Sequence, residues 1–342
     1  MFSTMQTSAI LVIAPSWVGD MVMAQSLFKF LKLENQNIVI DVLAPAWSAG
    51  LLKLMPEVRQ IISHDIQHGE LGWDKRRQLG EKLRREHYQQ VIVLPNSWKS
   101  ALIPYWTKAP KRTGYKGEMR YGLLNDMRIK NKLTLRRTVD QFVALGMPKN
   151  DPRIGQLTPP NPLLSTGNID LSLNKLKLEQ PSQPILALCP GAEYGIAKQW
   201  PLEYYAILAK KVIAQGWKVW ILGSSKDIAV GARVEALSGS AEVDCISFCG
   251  QTDLVDAVNL LSLSTAVVTN DSGLMHVAAA LNKKVLAIYG SSTPVMTPPL
   301  NPNAKILYEG LSCSPCFKRT CRYQHYQCLR RIKPEQVLSM LL

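Results

Sequence analysis

The chain has 342 residues, 46% of them hydrophobic and 19% charged, which is the balance of a globular protein and excludes a disordered or fibrous one; the length suits two cores better than one. Forty Lys and Arg against 26 Asp and Glu leave a formal charge of +14, so an anionic partner is expected: nucleic acid, an acidic membrane surface or a phosphorylated substrate. No helix-turn-helix, zinc-finger or RNA-binding sheet signature supports nucleic acid, no stretch approaches the roughly 18 apolar residues of a membrane helix, and the first apolar run, Ala9–Ala14, is too short for a signal segment.

In chain order, Ile10–Ala14 reads as a buried strand, followed by the loop Pro15–Asp20 and a helix through about Leu33. Ile38–Leu43 is a second strand, and Val91–Leu94 follows a charged helix near Asp74–Glu86. Strands that are continuously apolar, separated by helices, predict a parallel sheet covered on both faces. Prolines at 148, 152, 159, 160, 162, 181 and 184 then break the rhythm and mark a connection between lobes. We expect an N-terminal lobe over 1–165, a linker over 166–184 and a C-terminal lobe over 185–342. After the linker the pattern restarts: strands Ile185–Leu188, Lys218–Leu222, Ala266–Thr269 and Val285–Tyr289, with helices Leu202–Gln215, Leu254–Leu263 and Leu274–Leu281. The expected fold is α/β, two parallel-sheet lobes facing a central cleft, with ligands at the carboxyl ends of the strands.

Thr269–His276 carries the strongest local signal. A buried strand ends, Gly273 lets the backbone approach closely, and a helix begins whose free N–H groups and positive dipole end suit a phosphate. Asp271, Ser272, Gly273, Leu274 and His276 are the candidate binding residues; the alternative is that Asp271 or Ser272 only caps the helix while His276 packs. The loop Pro190–Pro201 adds Gly191, Ala192 and Lys198, a compact positive charge suited to a diphosphate, although a lysine is more often simply solvated. Asp227 is placed to accept hydrogen bonds from ribose hydroxyls. In the first lobe Asp20 stands after a strand end, either as a helix cap or as a general base, a role that needs reach more than an unusual pKa.

At this point the residues resemble a family, the bacterial ADP-heptose:lipopolysaccharide heptosyltransferases. Pro15–Met21, Leu94–Ser97, Lys99–Leu102, Arg112–Gly114, Gly117–Asp126, Pro190–Pro201 and Asn270–His276 carry the resemblance, which runs from about residue 10 to the C-terminal region. It implies a GT-B fold of two Rossmann-like lobes, the first binding the acceptor and the second the nucleotide sugar. It also implies an inverting transfer of heptose from ADP-L-glycero-D-manno-heptose onto the first heptose of the lipopolysaccharide inner core, heptosyl-Kdo2-lipid A. Carried over, Asp20 is the base, Lys198 neutralises the departing diphosphate, and Asp271 to Leu274 with His276 hold the ADP. Lys99, Arg112, Lys116 and Arg120 become contacts to a phosphorylated lipid A-core acceptor. No cofactor is required on this reading, and a divalent cation is left open. The expected protein is monomeric, binds no nucleic acid, and works from the cytoplasmic side with peripheral contact to the inner membrane. A heptosyltransferase of another core position is an alternative, and two other classes compete. A nucleotide-sugar epimerase would need no such acceptor motifs, and a basic nucleic-acid module would need a reader motif.

The seven cysteines suit reduced thiols or metal ligands in a reducing compartment. Cys313, Cys316, Cys321 and Cys328, with His325 among them, could bind a structural metal tetrahedrally. Their spacing is that of no standard finger, and free thiols are the competing reading.

Overall fold

The computed structural model describes residues 8–67, 69–240 and 243–342; the first seven residues, where no signal segment is expected, lie outside them. The chain divides into two compact units, Met1–Pro162 and Leu163–Leu342. The first runs β1 (Ala9–Ile13), α1 (Val18–Glu34), β2 (Val39–Pro45), α2 (Ala49–Leu52), β3 (Val58–His64), α3 (Trp73–Leu83), β4 (Gln90–Val93), α4 (Leu102–Thr107), β5 (Lys111–Tyr115), β6 (Asp126–Arg128) and α5 (Thr138–Gly146). The second runs α6 (Ile169–Lys175), β7 (Ile185–Cys189), α7 (Leu202–Ile213), β8 (Lys218–Ile221), α8 (Ile228–Ser238), β9 (Cys245–Ser247), α9 (Leu254–Leu263), β10 (Ala266–Asn270), α10 (Gly273–Ala280), β11 (Lys284–Tyr289), β12 (Ala304–Tyr308), α11 (Gln327–Arg330) and α12 (Pro334–Leu341).

Each unit holds the all-parallel sheet that the continuous apolar runs predict. The orders are β3-β2-β1-β4-β5-β6 and β12-β11-β10-β7-β8-β9. Read from its own first strand, each is the doubly wound order 3-2-1-4-5-6, whose direction reverses between the first and fourth strands. The reversal falls between β1 and β4 in one unit and between β7 and β10 in the other. In such sheets ligands bind outside the carboxyl ends at that reversal, so four loops are singled out before any chemistry is considered.

The central strands have no solvent face. Leu11, Val91 and Val93 in the first unit, and Leu186, Leu188, Val268 and Ile288 in the second, are fully buried. Beyond them the sequence reading found less. β6 reads Asp-Met-Arg, with no apolar run to signal a strand; its charges survive at the sheet edge because Arg128 Nε and Nη2 donate to the Asp126 carboxylate at 2.8 and 2.7 Å. α1 starts at Val18, inside the expected loop, because Trp17 is extended and its carbonyl already accepts from Met21 N at 2.8 Å. Segment 166–184, expected as a linker, contains α6. Ser172 Oγ donates to Asp256 Oδ1 at 2.7 Å and Lys175 pairs with the same carboxylate, so α6 is fastened to α9.

α3 and α4 meet at Gly80, where an added Cβ would lie 2.6 Å from Trp106 Cβ and 2.8 Å from the Ile103 carbonyl oxygen. A Gly→Ala change in an open helix is favourable by about 1 kcal/mol, but backbone cannot yield here as a flexible side chain would. Gly80→Ala is therefore expected to lower stability by about 1–3 kcal/mol, the cost of overpacking, read as a lower denaturant midpoint; an unchanged or raised midpoint would show that the helices separate freely.

Candidate active site

The two loops at the second unit's reversal are tied together by one side chain. Asn270, the last residue of β10, is fully buried. Its Oδ1 accepts from Trp200 N at 2.9 Å and from Tyr205 Oη at 3.0 Å, and its Nδ2 donates to the carbonyls of Pro190 at 2.8 Å and Gly191 at 3.2 Å. Both polar atoms are thus satisfied, as a buried amide requires, and the loop after β7 is pinned to the end of β10.

That pinning brings Lys198 to Asp271. Lys198 Nζ donates to Asp271 Oδ2 at 2.6 Å, with the lysine side chain 19% and the aspartate 6% exposed. The ammonium also lies 5.2 Å from the Tyr194 ring centroid. Next to the pair, α10 begins at Gly273 with Ser272 in the cap position, and the Ser272 side chain makes no cap hydrogen bond; Ser272 Oγ is instead 3.3 Å from Thr269 Oγ1. The N–H groups of the first turn are therefore not consumed by that side chain, and they join a lysine at a positive helix end. His276 is deeply buried, and burial first, then the Lys198 charge, push its pKa down to about 4 despite the opposing pull of Asp271. It is neutral at pH 7 and adds no positive charge to the seat. Asp227 lies against Gly191, but one carboxylate oxygen is already used by Ser224, accepting from its N at 2.8 Å and its Oγ at 2.7 Å. Of the nine second-unit candidates, the structure gathers Gly191, Lys198, Asp271 and the start of α10, with Asp227 beside Gly191.

The sequence reading missed what holds this loop from behind. Tyr194 Oη donates to the Phe317 carbonyl at 2.7 Å, Ala197 N to that of Arg319 at 3.0 Å, and Phe317 N to that of Ser291 at 2.8 Å. The cysteine-rich segment is the back wall of the Lys198 loop. Its four cysteines are free thiols, and among the described residues no group of three or more His, Cys, Asp or Glu is arranged to hold a metal ion. Cys328 is pushed up to about 11 by burial and by the other three thiols. Burial acts the same way on Cys321, but the backbone N–H groups of Tyr326, Tyr323, His325 and Gln324 outweigh it and bring that thiol below its ordinary range.

In the first unit, Asp20 is the third residue of α1, part-exposed, in the turn that follows β1. It is therefore not the helix cap, a position that Trp17 takes. Across the reversal, the loop after β4 is held by the 117–120 segment. Glu118 accepts from Trp98 N at 2.7 Å, and a Cβ at position 117 would lie 2.3 Å from the Asn96 carbonyl oxygen, so only glycine fits.

Arg120 needs correction as an acceptor contact. It is 1% exposed; Nη1 donates to the Pro95 carbonyl at 2.8 Å and Nη2 to that of Tyr115. Arg112 is likewise turned inward, donating to the carbonyls of Leu123 at 2.9 Å and Ala109 at 2.8 Å. Both guanidiniums shape the loops, and backbone oxygens that no sequence motif displays are the reason. Lys116 is exposed, with its ammonium 5.8 Å from the Tyr121 ring centroid, and Lys99 is part-exposed.

Two doubly wound units, the second with Lys198 and the start of α10 at its reversal, have the build of enzymes that bind nucleotides, nucleotide-sugar glycosyltransferases among them. Residues 76–327 match glycosyltransferase family 9 (heptosyltransferase). The chain is 43% identical over 339 residues to lipopolysaccharide heptosyltransferase 2 of Escherichia coli K12, covering 97% of each chain. It is 43% identical over 341 residues to lipooligosaccharide heptosyltransferase 2 of Haemophilus influenzae, covering 97% of this chain and 98% of that one. Among solved structures, the E. coli ADP-heptose lps heptosyltransferase II superposes with a TM-score of 0.85 at 41% identity, covering 97% of both. The chain belongs to glycosyltransferase family 9, the heptosyltransferases, as the sequence resemblance implied.

His276 yields a test by titration. Unfolded, its imidazole takes a proton near its ordinary value of 6.5; folded, only near about 4. Between these values the unfolded chain binds the extra proton, so this contribution is complete above about pH 6.5 and is lost as pH falls toward 4, about 3 kcal/mol in all. His276→Gln is expected to flatten the stability profile of the protein across that window relative to the parent; identical slopes in the two proteins would place the histidine in water.

Proposed function

We propose that the chain transfers heptose from ADP-L-glycero-D-manno-heptose to the first heptose of the lipopolysaccharide inner core, with inversion at the anomeric carbon. The observation that carries the reading is the Lys198 and α10 cluster at the second unit's reversal, together with family membership. Asp20 takes the proton from the acceptor hydroxyl as that oxygen attacks the anomeric carbon. The bond from that carbon to the diphosphate oxygen breaks, and ADP leaves with the electron pair. Charge building on the leaving oxygens is met by Lys198 and the first N–H groups of α10, fixed in advance and largely dry, where such donors are worth most. Gly191, Ala192, Ser272 and Leu274 supply close backbone around the nucleotide, and Asp227 keeps one oxygen for a ribose hydroxyl.

On the acceptor side, Lys99 and Lys116 meet the phosphates of the lipid A-core, while Arg112 and Arg120 set the loops that carry them. The protein acts as a monomer at the cytoplasmic face of the inner membrane. Among the described residues no helix is long and apolar enough to cross a membrane, and the contact proposed with the bilayer is peripheral.

Incubation of the purified protein with ADP-heptose and heptosyl-Kdo2-lipid A should add the mass of one heptose to the acceptor; no increment would end this reading. Asp20→Asn is expected to lower turnover by about 10²–10⁴, the usual worth of a general base, with the Kd for ADP-heptose unchanged. Lys198→Met should weaken ADP binding by about 10- to 100-fold, as loss of a charged hydrogen bond does. Pairing it with Asp271→Asn leaves no buried carboxylate unpaired, so an ADP affinity equal to the parent's in the double variant would remove the lysine from the site. Because the leaving charge is assigned to protein groups, turnover should survive EDTA; abolition by the chelator and rescue by a divalent cation would reassign it.

A further inference from the structure

β5 and β6 are the last two strands at one edge of the first sheet and run parallel, with Thr113 opposite Asp126 and Tyr115 opposite Arg128. The segments leaving their carboxyl ends, 116–122 and 129–133, therefore emerge at the same corner about 5 Å apart, and Lys116 N donates to the Arg128 carbonyl between them. This corner exposes more apolar surface than the fold requires. Met119 is 79%, Tyr121 61%, Ile129 82% and Leu133 80% exposed. Single exposed apolar side chains are ordinary, but four on two adjoining segments make a patch of the kind that meets another surface.

Basic residues dominate the charge around it. Lys116, Lys130, Lys132 and Arg136 interleave with the apolar residues, and among the described residues none of the four is in an ion pair. Of the nearby carboxylates, Asp126 is paired with Arg128 and Lys111, and Glu118 accepts from Trp98 N and keeps its charge, one against four. The Lys130 ammonium is held 5.2 Å from the Tyr115 ring centroid, and burial with the neighbouring Lys132 brings its pKa below the ordinary lysine value. Lysines in that condition gain from a negative surface.

We infer that this corner of the first unit rests on an anionic lipid bilayer, Ile129 and Leu133 entering the headgroup region while Lys132 and Arg136 lie at the phosphate level. Apolar tips beside basic residues are the physical signature of interfacial binding. A nucleic acid would use the basic residues and leave the aliphatic tips idle. The inference deepens the proposed function, since a lipid-borne acceptor must be met at the bilayer, and it rests on that reading only for its purpose.

Co-sedimentation with phosphatidylethanolamine vesicles containing one quarter phosphatidylglycerol is the test, with pure phosphatidylcholine vesicles as the neutral control and thermal unfolding as the check on folding. The parent should sediment with the anionic vesicles and not the neutral ones. Lys132→Gln with Arg136→Gln should weaken partitioning about 30-fold, the conversion of about 1 kcal/mol for each basic residue near an anionic surface. Ile129→Ser with Leu133→Ser should weaken it at least about 10-fold. Neither pair should alter turnover with a de-acylated, water-soluble acceptor. A parent that ignores anionic vesicles overturns the inference. So does loss in the Gln pair but not the Ser pair, which would mean polyanion binding by charge alone. A protein that binds vesicles through this corner yet transfers no heptose would instead sink the proposed reaction and leave the membrane contact standing.

Discussion

The second unit depends on one buried carboxamide. Without a partner for each of its atoms, Asn270 would be costly at the end of a sealed strand; with partners, it joins the end of β10 to Trp200, Tyr205 and the turn at Pro190 and Gly191. Every group assigned to the diphosphate stands within a few residues of those bonds. The lysine has its place because the loop carrying it cannot drift from the helix start, and the cysteine-rich segment closes the far side of the same loop.

The first unit solves a similar problem with guanidinium groups. Arg120 is a charge withdrawn from solvent and Arg112 one partly so, and both are spread over backbone oxygens. Arginine suits this because its planar fork offers several donors in fixed directions and stays ionised when buried. The 117–120 segment is thereby clamped onto the loop after β4, on the opposite side of the sheet reversal from Asp20. Part of the chain's large positive charge is thus spent on internal architecture.

Much of this was legible in the sequence. Central strands announce themselves, since a strand covered on both faces is apolar along its length, as Ala-Ile-Leu-Val-Ile and Ile-Leu-Ala-Leu-Cys are. The candidate anion site was read for a related reason: a strand that stops at Asn-Asp-Ser-Gly and turns into a helix puts the free N–H groups of a first turn at the carboxyl end of the sheet. The edge strand β6 was not legible, because it is three residues long and stabilised by an ion pair between its own two ends. Nor could Arg120 be told from a surface arginine, since its acceptors are main-chain carbonyls identical in every sequence. His276 was found by its position, but its neutrality follows from burial, which the helix pattern alone does not state.

The contact between Lys198 and Asp271 has a consequence for selectivity. An ammonium already matched by a carboxylate has little to gain from a guest of single charge, which merely competes with a neighbour held in place by the fold. A guest bearing several charges over adjoining oxygens can take a share of the lysine and reach the main-chain donors of α10 at once. Under the proposed function the arrangement would act as a valence filter, favouring a pyrophosphate over monovalent anions.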